Sequence, residues 1–318
     1  MGAIEFAGRK CCVLQSAEAL ARLTDAGGWM HESENHRGAA ARRLESMSLD
    51  AITAPVQTVE GGLSSSRSDL LAIEKPLQFC LNGSPLSITM RTPGSDLDLA
   101  TGFLFTEGII NDIGEILSMR AESAEDSAEN SGDRVTIRLR PEVAVDPGRI
   151  RRNFYTSSSC GMCGKLAIGA IEVRPSRPMR QTGPQFHADL IYRLPALLRP
   201  AQDAFDRTGG IHAAALFSPQ GILLGLREDV GRHNAVDKLI GFALREGTVP
   251  LGDSLILVSG RAGFELVQKS VMAGIPVLAA VGAPSSLAVE AAKRFGMTLV
   301  GFLRGQRFNI YSGNWRVE

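Results

Sequence analysis

The C-terminal part of the chain alternates short apolar segments with longer amphipathic ones. The apolar segments have the length and composition of buried strands, and each amphipathic segment ends before a glycine that can cap a helix. The predicted strands are 254–259, 277–281 and 298–303, and the predicted helices are 263–273 and 285–295. Strands that alternate with helices of this length form a parallel sheet with right-handed crossovers and helices on its faces. The pattern therefore predicts an α/β fold.

Parallel sheets of this kind bind ligands beyond the carboxyl ends of their strands. A glycine-containing turn follows each predicted strand there, and the turns are 259–261, 282–285 and 304–307. Arg261, Arg304 and Arg307 could converge at this edge, beside the free N–H groups of helix N-termini. The combination suits phosphate groups. Glycines that only form tight turns are the alternative interpretation.

A second polar group precedes that sheet. The predicted strand 222–226 leads into a charged stretch in which Asp229, Arg232 and His233 crowd together. A strand-to-helix junction with both charge signs can hold a polar ligand while a histidine moves protons. His212, at the start of another apolar run, is a further candidate, although a lone histidine is more often hydrogen-bonded within a structure. We interpret the junction as part of a functional site.

Shorter patterns predict local structure elsewhere. The Asn-Gly pair at 82–83, between two apolar runs, predicts a β-hairpin. Apolar residues at helical spacing predict a helix over 97–110. Asn234, followed three residues later by Asp237, resembles a capping box and predicts a helix over 235–245.

Cys160 and Cys163 form a Cys-x-x-Cys pair between glycines in a chain that is otherwise poor in cysteine. A helix over 165–172 would place one sulfur near the positive end of a helix dipole, and Lys165 adds a nearby positive charge. Both effects favour the thiolate, which is the form that attacks sulfur or binds zinc. The pair predicts sulfur chemistry, with a zinc knuckle or two buried thiols as the alternative.

Composition excludes several classes of protein. The 318 residues include 34 basic and 34 acidic side chains, so the overall charge gives no affinity for nucleic acid or for an anionic membrane. No apolar run is long enough to span a membrane. The five cysteines are an odd number and form no disulfide framework, which favours a reducing compartment. We expect a soluble, cytoplasmic protein.

The sequence predicts three regions. Residues 1–66 mix glycine, alanine, serine and charge without sustained periodicity, and we interpret them as a mobile tail. Residues 67–150 predict a smaller β-rich subdomain. Within it, residues 121–133 carry five acids and no base and predict a solvated loop. Residues 151–318 hold the Cys-x-x-Cys segment and the α/β domain.

Several long motifs occur in one order along the chain. They are Ser-Ser-Ser-Cys-Gly-Met-Cys-Gly at 157–164, Gly-Gly-Ile-His-Ala-Ala-Ala-Leu at 209–216, Arg-Glu-Asp-Val-Gly-Arg-His-Asn-Ala-Val-Asp-Lys at 227–238, Ser-Gly-Arg-Ala-Gly-Phe-Glu at 259–265 and Gly-Phe-Leu-Arg-Gly-Gln-Arg-Phe-Asn at 301–309. Together they closely resemble the FdhD family of formate dehydrogenase accessory sulfurtransferases. The resemblance covers roughly residues 67–318, and the number of ordered motifs makes it specific.

The resemblance implies a function and an assembly. Members of the family take persulfide sulfur from a cysteine desulfurase. They deliver it to the molybdenum or tungsten bis(pterin guanine dinucleotide) cofactor before that cofactor is inserted into formate dehydrogenase. The family fold is similar to that of cytidine deaminases, and its members are homodimers. The cofactor is a bound substrate that a guanine nucleotide such as GDP would mimic, and we expect no permanently bound metal.

The resemblance also implies roles for residues. Cys160 would carry the persulfide, and Cys163 would be its partner in relay or release. The segment that would line the cofactor site is Phe302, Leu303, Arg304, Gly305, Gln306 and Arg307. The remaining candidates for cofactor binding are Arg261, Asp229, Arg232, His233 and His212.

Other functions remain open. A zinc-dependent deaminase-like hydrolase would use Cys160, Cys163 and His212 as ligands. It would also need a carboxylate where Ala214 lies and a proline where Ser159 lies. A thiol-disulfide oxidoreductase needs only the cysteine pair and leaves the arginines unused. A noncatalytic chaperone that only holds the cofactor would not need Cys160.

Overall fold

The computed structural model describes most of the chain outside its N-terminal part and the Cys-x-x-Cys region. The described residues are 50–123, 132–145, 179 and 183–318, with the backbone of two short antiparallel strands, β1 (Glu5–Phe6) and β2 (Arg9–Lys10). The chain divides into two compact units, Met1–Met47 and Ser48–Glu318. The predictions for Cys160, Cys163 and the helix over 165–172 lie outside the described residues, as does the centre of the acidic segment.

The second unit begins with a long antiparallel hairpin. Its strands are β3 (Ala51–Glu60) and β4 (Leu63–Ala72), paired from Ala51 with Ala72 to Glu60 with Leu63. Residues 51–66, which the sequence placed in a tail, are therefore strand and turn. Most of their side chains are exposed, so no buried face marks the strands with apolar alternation.

A four-stranded sheet and one helix follow. The elements are β5 (Lys75–Leu81), β6 (Ser84–Arg91), α1 (Asp96–Thr106), β7 (Ile116–Glu122) and β8 (Asp133–Leu139). The strand order is β6-β5-β8-β7. The predicted hairpin is confirmed, because Asn82 and Gly83 join β5 to β6 with φ angles of 50° and 84°. Two-residue hairpin turns with positive φ favour these residue types.

The C-terminal part forms the α/β core. Its elements are α2 (Ala188–Leu198), α3 (Asp203–Thr208), β9 (His212–Phe217), β10 (Leu223–Asp229), α4 (Arg232–Arg245), β11 (Leu255–Val258), α5 (Phe264–Met272), β12 (Val277–Ala280), α6 (Ser286–Phe295), β13 (Thr298–Arg304) and β14 (Arg307–Ser312). The six strands form one sheet in the order β10-β9-β11-β12-β13-β14. The predicted parallel pairing is confirmed for β11, β12 and β13, whereas β9, β10 and β14 pair antiparallel. The fold is α/β with a mixed sheet.

Alternation along β11 shows that both faces of the main sheet are covered. Ile256 and Val258 join a core cluster that also contains α4, α5 and the smaller sheet. Leu255 and Leu257 face a second cluster, which includes Leu190 of α2. A strand buried on both faces has a continuous apolar sequence, which is why this region is recognisable. None of the described helices is long and apolar enough to cross a membrane.

Helix α1 joins the smaller sheet to the main one by packing closely on α4. The contact uses one glycine from each helix. A Cβ atom on Gly102 would lie 1.8 Å from the Asp237 carbonyl oxygen, and one on Gly241 would lie 1.9 Å from the Asp98 carbonyl oxygen. Only glycine permits this approach. At the same contact, the buried Asp98 carboxylate pairs with Arg227 at 2.9 Å and with Arg245 at 2.5 Å.

We expect Gly241→Ala to lower the free energy of unfolding by about 2 kcal/mol or more, because the helices must separate to admit the methyl group. Chemical denaturation followed by circular dichroism would measure the loss. Gly252→Ala is the matched control, since a Cβ atom there meets nothing within 4 Å. Equal stability of the two variants would contradict the close helix contact.

Candidate functional site

The predicted site lies where β11, β12 and β13 end, which we call the carboxyl edge. The Gly282 N–H donates to the Gly260 carbonyl, and the Phe302 N–H donates to the Gly282 carbonyl, each at 3.0 Å. Strand β9 runs antiparallel to β11, and β10 runs antiparallel to β9, so β9 starts and β10 ends at this edge. The fold thus brings His212 and the end of β10 to the same edge as the three turns.

The glycines of these turns are explained by close packing. A Cβ atom on Gly260 would lie 3.3 Å from the His212 ring, and one on Gly282 would lie 3.0 Å from the Gly260 carbonyl oxygen. Side chains at these positions would push the neighbouring turns apart. The glycines therefore do not, by themselves, indicate a ligand.

His212 is half-buried beside Ser259. Its Nδ1 lies 3.5 Å from the Ser259 hydroxyl oxygen, which accepts the Ala213 N–H at 2.9 Å. Burial lowers the pKa of His212, and the positive charges of Arg232 and His233 lower it further. His212 can therefore accept or donate a proton while remaining mostly neutral near pH 7.

Arg232 and His233 begin α4 and face the start of α5. His233 is 7% exposed, and its Nε2 lies 3.8 Å from a carboxylate oxygen of Glu265, within ion-pair range but beyond hydrogen-bond range. Burial alone would raise the pKa of Glu265, but His233, a backbone hydrogen bond and Arg232 outweigh it and lower the pKa. Glu265 therefore stays ionised beside Arg232 and His233.

Asp229 is fully buried at the end of β10, and both of its carboxylate oxygens are in use. It pairs with Lys238 at 2.6 Å and accepts the Thr92 N–H at 3.2 Å. It also accepts the Gly231 N–H at 2.8 Å and the Asn234 side-chain amide at 3.0 Å. These contacts place the first turn of α4, so the structure gives Asp229 a positioning role within the predicted site.

The predicted capping box is wrong. Helix α4 begins at Arg232 after Gly231, and both Asn234 and Asp237 lie inside it. The Asn234 side chain donates to the Met90 carbonyl at 2.7 Å. Tertiary partners thus replace the local partners that the spacing suggested.

Asp237 belongs to a buried charged cluster. Its two oxygens each accept from Lys269 Nζ at 2.9 Å, and Thr106 donates to it at 2.8 Å. Burial alone would lower the pKa of Lys269, but the carboxylates of Asp237 and Glu107 raise it. The cluster links α1, α4 and α5 behind the carboxyl edge.

The segment from Phe302 to Arg307 ends β13 and starts β14. Phe302 is 39% exposed with a φ of 55°, where the pairing with β14 is irregular. Leu303 is 1% exposed and packs in the second core cluster, so its side chain points away from solvent. Arg304 and Arg307 are exposed and pair across the turn. Arg261 is exposed as well. The side chains of these arginines can reach a ligand. No hydrogen bond or ion pair to another described residue fixes their positions.

Two residues that form ion pairs with the predicted site residues were not singled out from the sequence. Glu265 ends the motif at 259–265, and Lys238 ends the motif at 227–238, so their presence in those motifs was the available signal. Among the described ranges, no group of three or more histidine, cysteine, aspartate or glutamate side chains is arranged to hold a metal ion.

The fold and the carboxyl edge define an α/β protein with histidine and arginine side chains gathered at one edge of its sheet. The chain belongs to the FdhD/NarQ family, whose model matches residues 72–318.

Individual relatives cover most of the chain. It is 51% identical over 261 residues to the Sulfur carrier protein FdhD of Streptomyces avermitilis, a match that covers 81% of this chain and 93% of that protein. It is 45% identical over 278 residues to the protein of that name from Mycobacterium tuberculosis, covering 86% and 96% of the two chains. A crystal structure described as a formate dehydrogenase accessory protein from Desulfotalea psychrophila shares the fold. It has a TM-score of 0.64 and 23% identity, and the match covers 85% of this chain and 100% of that one.

We expect His212 to destabilise the folded protein in mild acid. Its folded-state pKa lies below the unfolded value of about 6.5, so the folded protein binds fewer protons there. Stability is therefore fully present above about pH 6.5 and falls as the pH drops toward the folded pKa. Between about pH 7.5 and about pH 5.5, the free energy of unfolding should fall more in the native protein than in His212→Gln. Chemical denaturation at both pH values would measure it. His187→Gln, which removes a surface histidine, is the control. An equal loss in the native protein and His212→Gln would contradict the lowered pKa.

Proposed function

We propose that this protein is a sulfurtransferase that carries sulfur to a cofactor of formate dehydrogenase. It takes persulfide sulfur from a cysteine desulfurase and transfers it to the molybdenum bis(pterin guanine dinucleotide) cofactor before insertion. The observation that carries the proposal is the alignment, over about four-fifths of the chain, with proteins named Sulfur carrier protein FdhD. The motif that contains Cys160 and Cys163 supplies the thiols that persulfide transfer requires.

Sulfur loading is a thiolate exchange. The Cys160 thiolate attacks the outer sulfur of the donor's persulfide, and a new sulfur–sulfur bond forms on Cys160. The sulfur–sulfur bond of the donor breaks, and the donor cysteine leaves as a thiolate. No net oxidation occurs, because one persulfide is converted into another.

Sulfur release uses the second cysteine. The Cys163 thiolate attacks the inner sulfur of the Cys160 persulfide, and the outer sulfur leaves with the bonding electron pair as sulfide, which the metal centre of the substrate takes. The product is a Cys160–Cys163 disulfide. A cellular dithiol must then reduce this disulfide by two electrons before another cycle.

The carboxyl edge supplies the binding surface for the cofactor. Its nucleotide phosphates are anionic, and arginine side chains and helix N-termini are the groups that bind phosphate. Arg261, Arg304 and Arg307 are exposed there, and Arg232 and His233 lie at the start of α4. The aromatic ring of Phe302 is exposed beside them and can stack on a guanine base.

The family resemblance supports the remaining parts of the proposal. They are a homodimeric assembly, a cytidine deaminase-like arrangement of the sheet, a cytoplasmic location, and association with formate dehydrogenase. The Desulfotalea psychrophila protein with the same fold is itself described as a formate dehydrogenase accessory protein.

We expect incubation with a cysteine desulfurase and cysteine to add one sulfur atom to the native chain, removable by reductant, and to add none to Cys160→Ala. Intact mass spectrometry would measure the mass gain. Cys12→Ala is the matched control, because Cys12 lies outside residues 72–318, which the family model matches.

Two results would contradict the proposal. Stoichiometric zinc with no added sulfur would favour the deaminase-like hydrolase. Full activation of formate dehydrogenase by Cys160→Ala would favour a chaperone that only holds the cofactor.

A further inference from the structure

The long hairpin of β3 and β4, which we call the ribbon, has little support from the rest of the described chain. It extends over residues 51–72, and none of these residues is buried. In the part of the chain that the structure describes, its strands pair only with each other, and α3 contacts only its base, where Arg207 pairs with Asp50. An isolated two-stranded hairpin is at best marginally stable in water, whereas a sheet of three or more strands is stable. The ribbon therefore requires a further strand.

The free edge of β4 can accept that strand, and the free edge of β3 cannot do so as well. Consecutive residues of a strand direct their N–H and C=O groups to opposite sides. Just after β4, the Ile73 N–H donates to the Asp50 carbonyl, so the odd-numbered residues of β4 bond toward β3 and the even-numbered ones face outward. Pro55 lies opposite Ser68, so the same alternation turns Pro55 to the free edge of β3. Proline has no N–H to donate there, whereas β4 contains no proline.

The charges on β4 make its free edge complementary to itself. Arg67 and Asp69 lie on one face of the ribbon, 3.8 Å apart, and their side chains are 60% and 48% exposed. Two β4 strands related by a two-fold axis run antiparallel, and an axis at Ser68 places Arg67 opposite Asp69 of the partner subunit, and the reverse. An axis at Arg67 or at Asp69 would oppose like charges. Opposite charges directly across two strands stabilise the pairing, and like charges destabilise it.

The backbone of β4 favours the same register. With the axis at Ser68, Ser68 meets its own counterpart and Ser66 meets Leu70 of the partner subunit. All of these residues direct their N–H and C=O groups outward, so they can exchange hydrogen bonds across the axis. In one subunit, the Leu70 N–H instead donates to the Asp69 carboxylate at 3.0 Å. Strand pairing would release that carboxylate for Arg67 of the partner subunit.

We propose that the free edge of β4 pairs with the same edge of a second copy of this chain. The two ribbons form one four-stranded antiparallel sheet with the two-fold axis at Ser68, which we call the ribbon interface. The inference rests on the proposed function only in giving its homodimer a contact surface, and the sulfur relay does not depend on it. The match to the family model begins at residue 72, so the ribbon interface lies in a segment that the model does not match.

Sedimentation equilibrium of the full chain tests the charge pairing. Arg67→Asp gathers four carboxylates at the axis and should raise the dimer dissociation constant about tenfold or more. Asp69→Arg gathers four cations and should act in the same direction. The double variant Arg67→Asp, Asp69→Arg exchanges the two charges, so it should return the dissociation constant to near the native value.

Arg120→Asp is the matched control, because Arg120 is exposed on β7 and lies 3.7 Å from Glu122 with the same spacing. Circular dichroism of each variant would show that it folds. Native dimerisation in both single variants, or no recovery in the double variant, would overturn the ribbon interface and leave the proposed function standing. A monomeric native chain would overturn the interface and the homodimer together, while persulfide loading of Cys160 would still test the relay.

Disulfide cross-linking tests the register. An axis at Ser68 places the Cα atoms of the two Ser68 residues about 5.5 Å apart, within the range of a disulfide. Ser68→Cys should therefore form a covalent dimer in oxidised glutathione. Ser64→Cys is the matched control, because Ser64 would lie about 27 Å along the strand from Ser64 of the partner subunit. The native chain, with its own five cysteines, gives the background. Cross-linking of Ser68→Cys no greater than that of Ser64→Cys or of the native chain would overturn the register.

Discussion

The close packing of α1 on α4 is the contact on which the rest of the structure depends. Two glycines allow the helix backbones to meet, and Gly102 and Gly241 each face a carbonyl of the other helix. Polar groups then fix the register, through Asp98 on the outer side and the buried Lys269–Asp237 pair on the inner side. Breaking one partner of such a buried pair leaves an uncompensated charge, so the arrangement specifies one docking geometry.

The pairing of buried charges shapes the electrostatics of the carboxyl edge. Asp229 and Lys238 neutralise each other in the interior, and Glu265 approaches His233 from α5. The fold thereby satisfies its buried acids with its own cations and leaves positive charge where α4 begins. A count of charges along the sequence does not reveal this local positive charge, because acidic and basic residues are equal in number. The local charge depends on which groups the fold brings into ion pairs.

Local signals predicted local structure well. The Asn-Gly turn at 82–83 and the helices α5 and α6 follow from turn chemistry and apolar spacing, and the structure has them close to the predicted bounds. Long-range contacts were the part that the sequence did not reveal. Asn234 and Asp237 have the spacing of a capping box, yet Asn234 bonds to Met90, 144 residues away, and Asp237 bonds to Lys269, 32 residues away. The strands β3 and β4 were missed because an exposed ribbon has no buried face, and hence no apolar period. At the site, motifs identified Arg232 and His233, but the burial of His233 and its approach to Glu265 are properties of the fold.

Thr92 connects the smaller sheet to the start of α4 through three hydrogen bonds. It follows β6, donates its N–H to Asp229, accepts the Val230 N–H at its hydroxyl, and accepts Lys238 at its carbonyl. The placement of the smaller sheet and the geometry of the start of α4 are therefore physically connected. Thermodynamic linkage makes their coupling reciprocal: any free energy by which the docked sheet improves ligand affinity is returned as added stability of the docked sheet when the ligand binds.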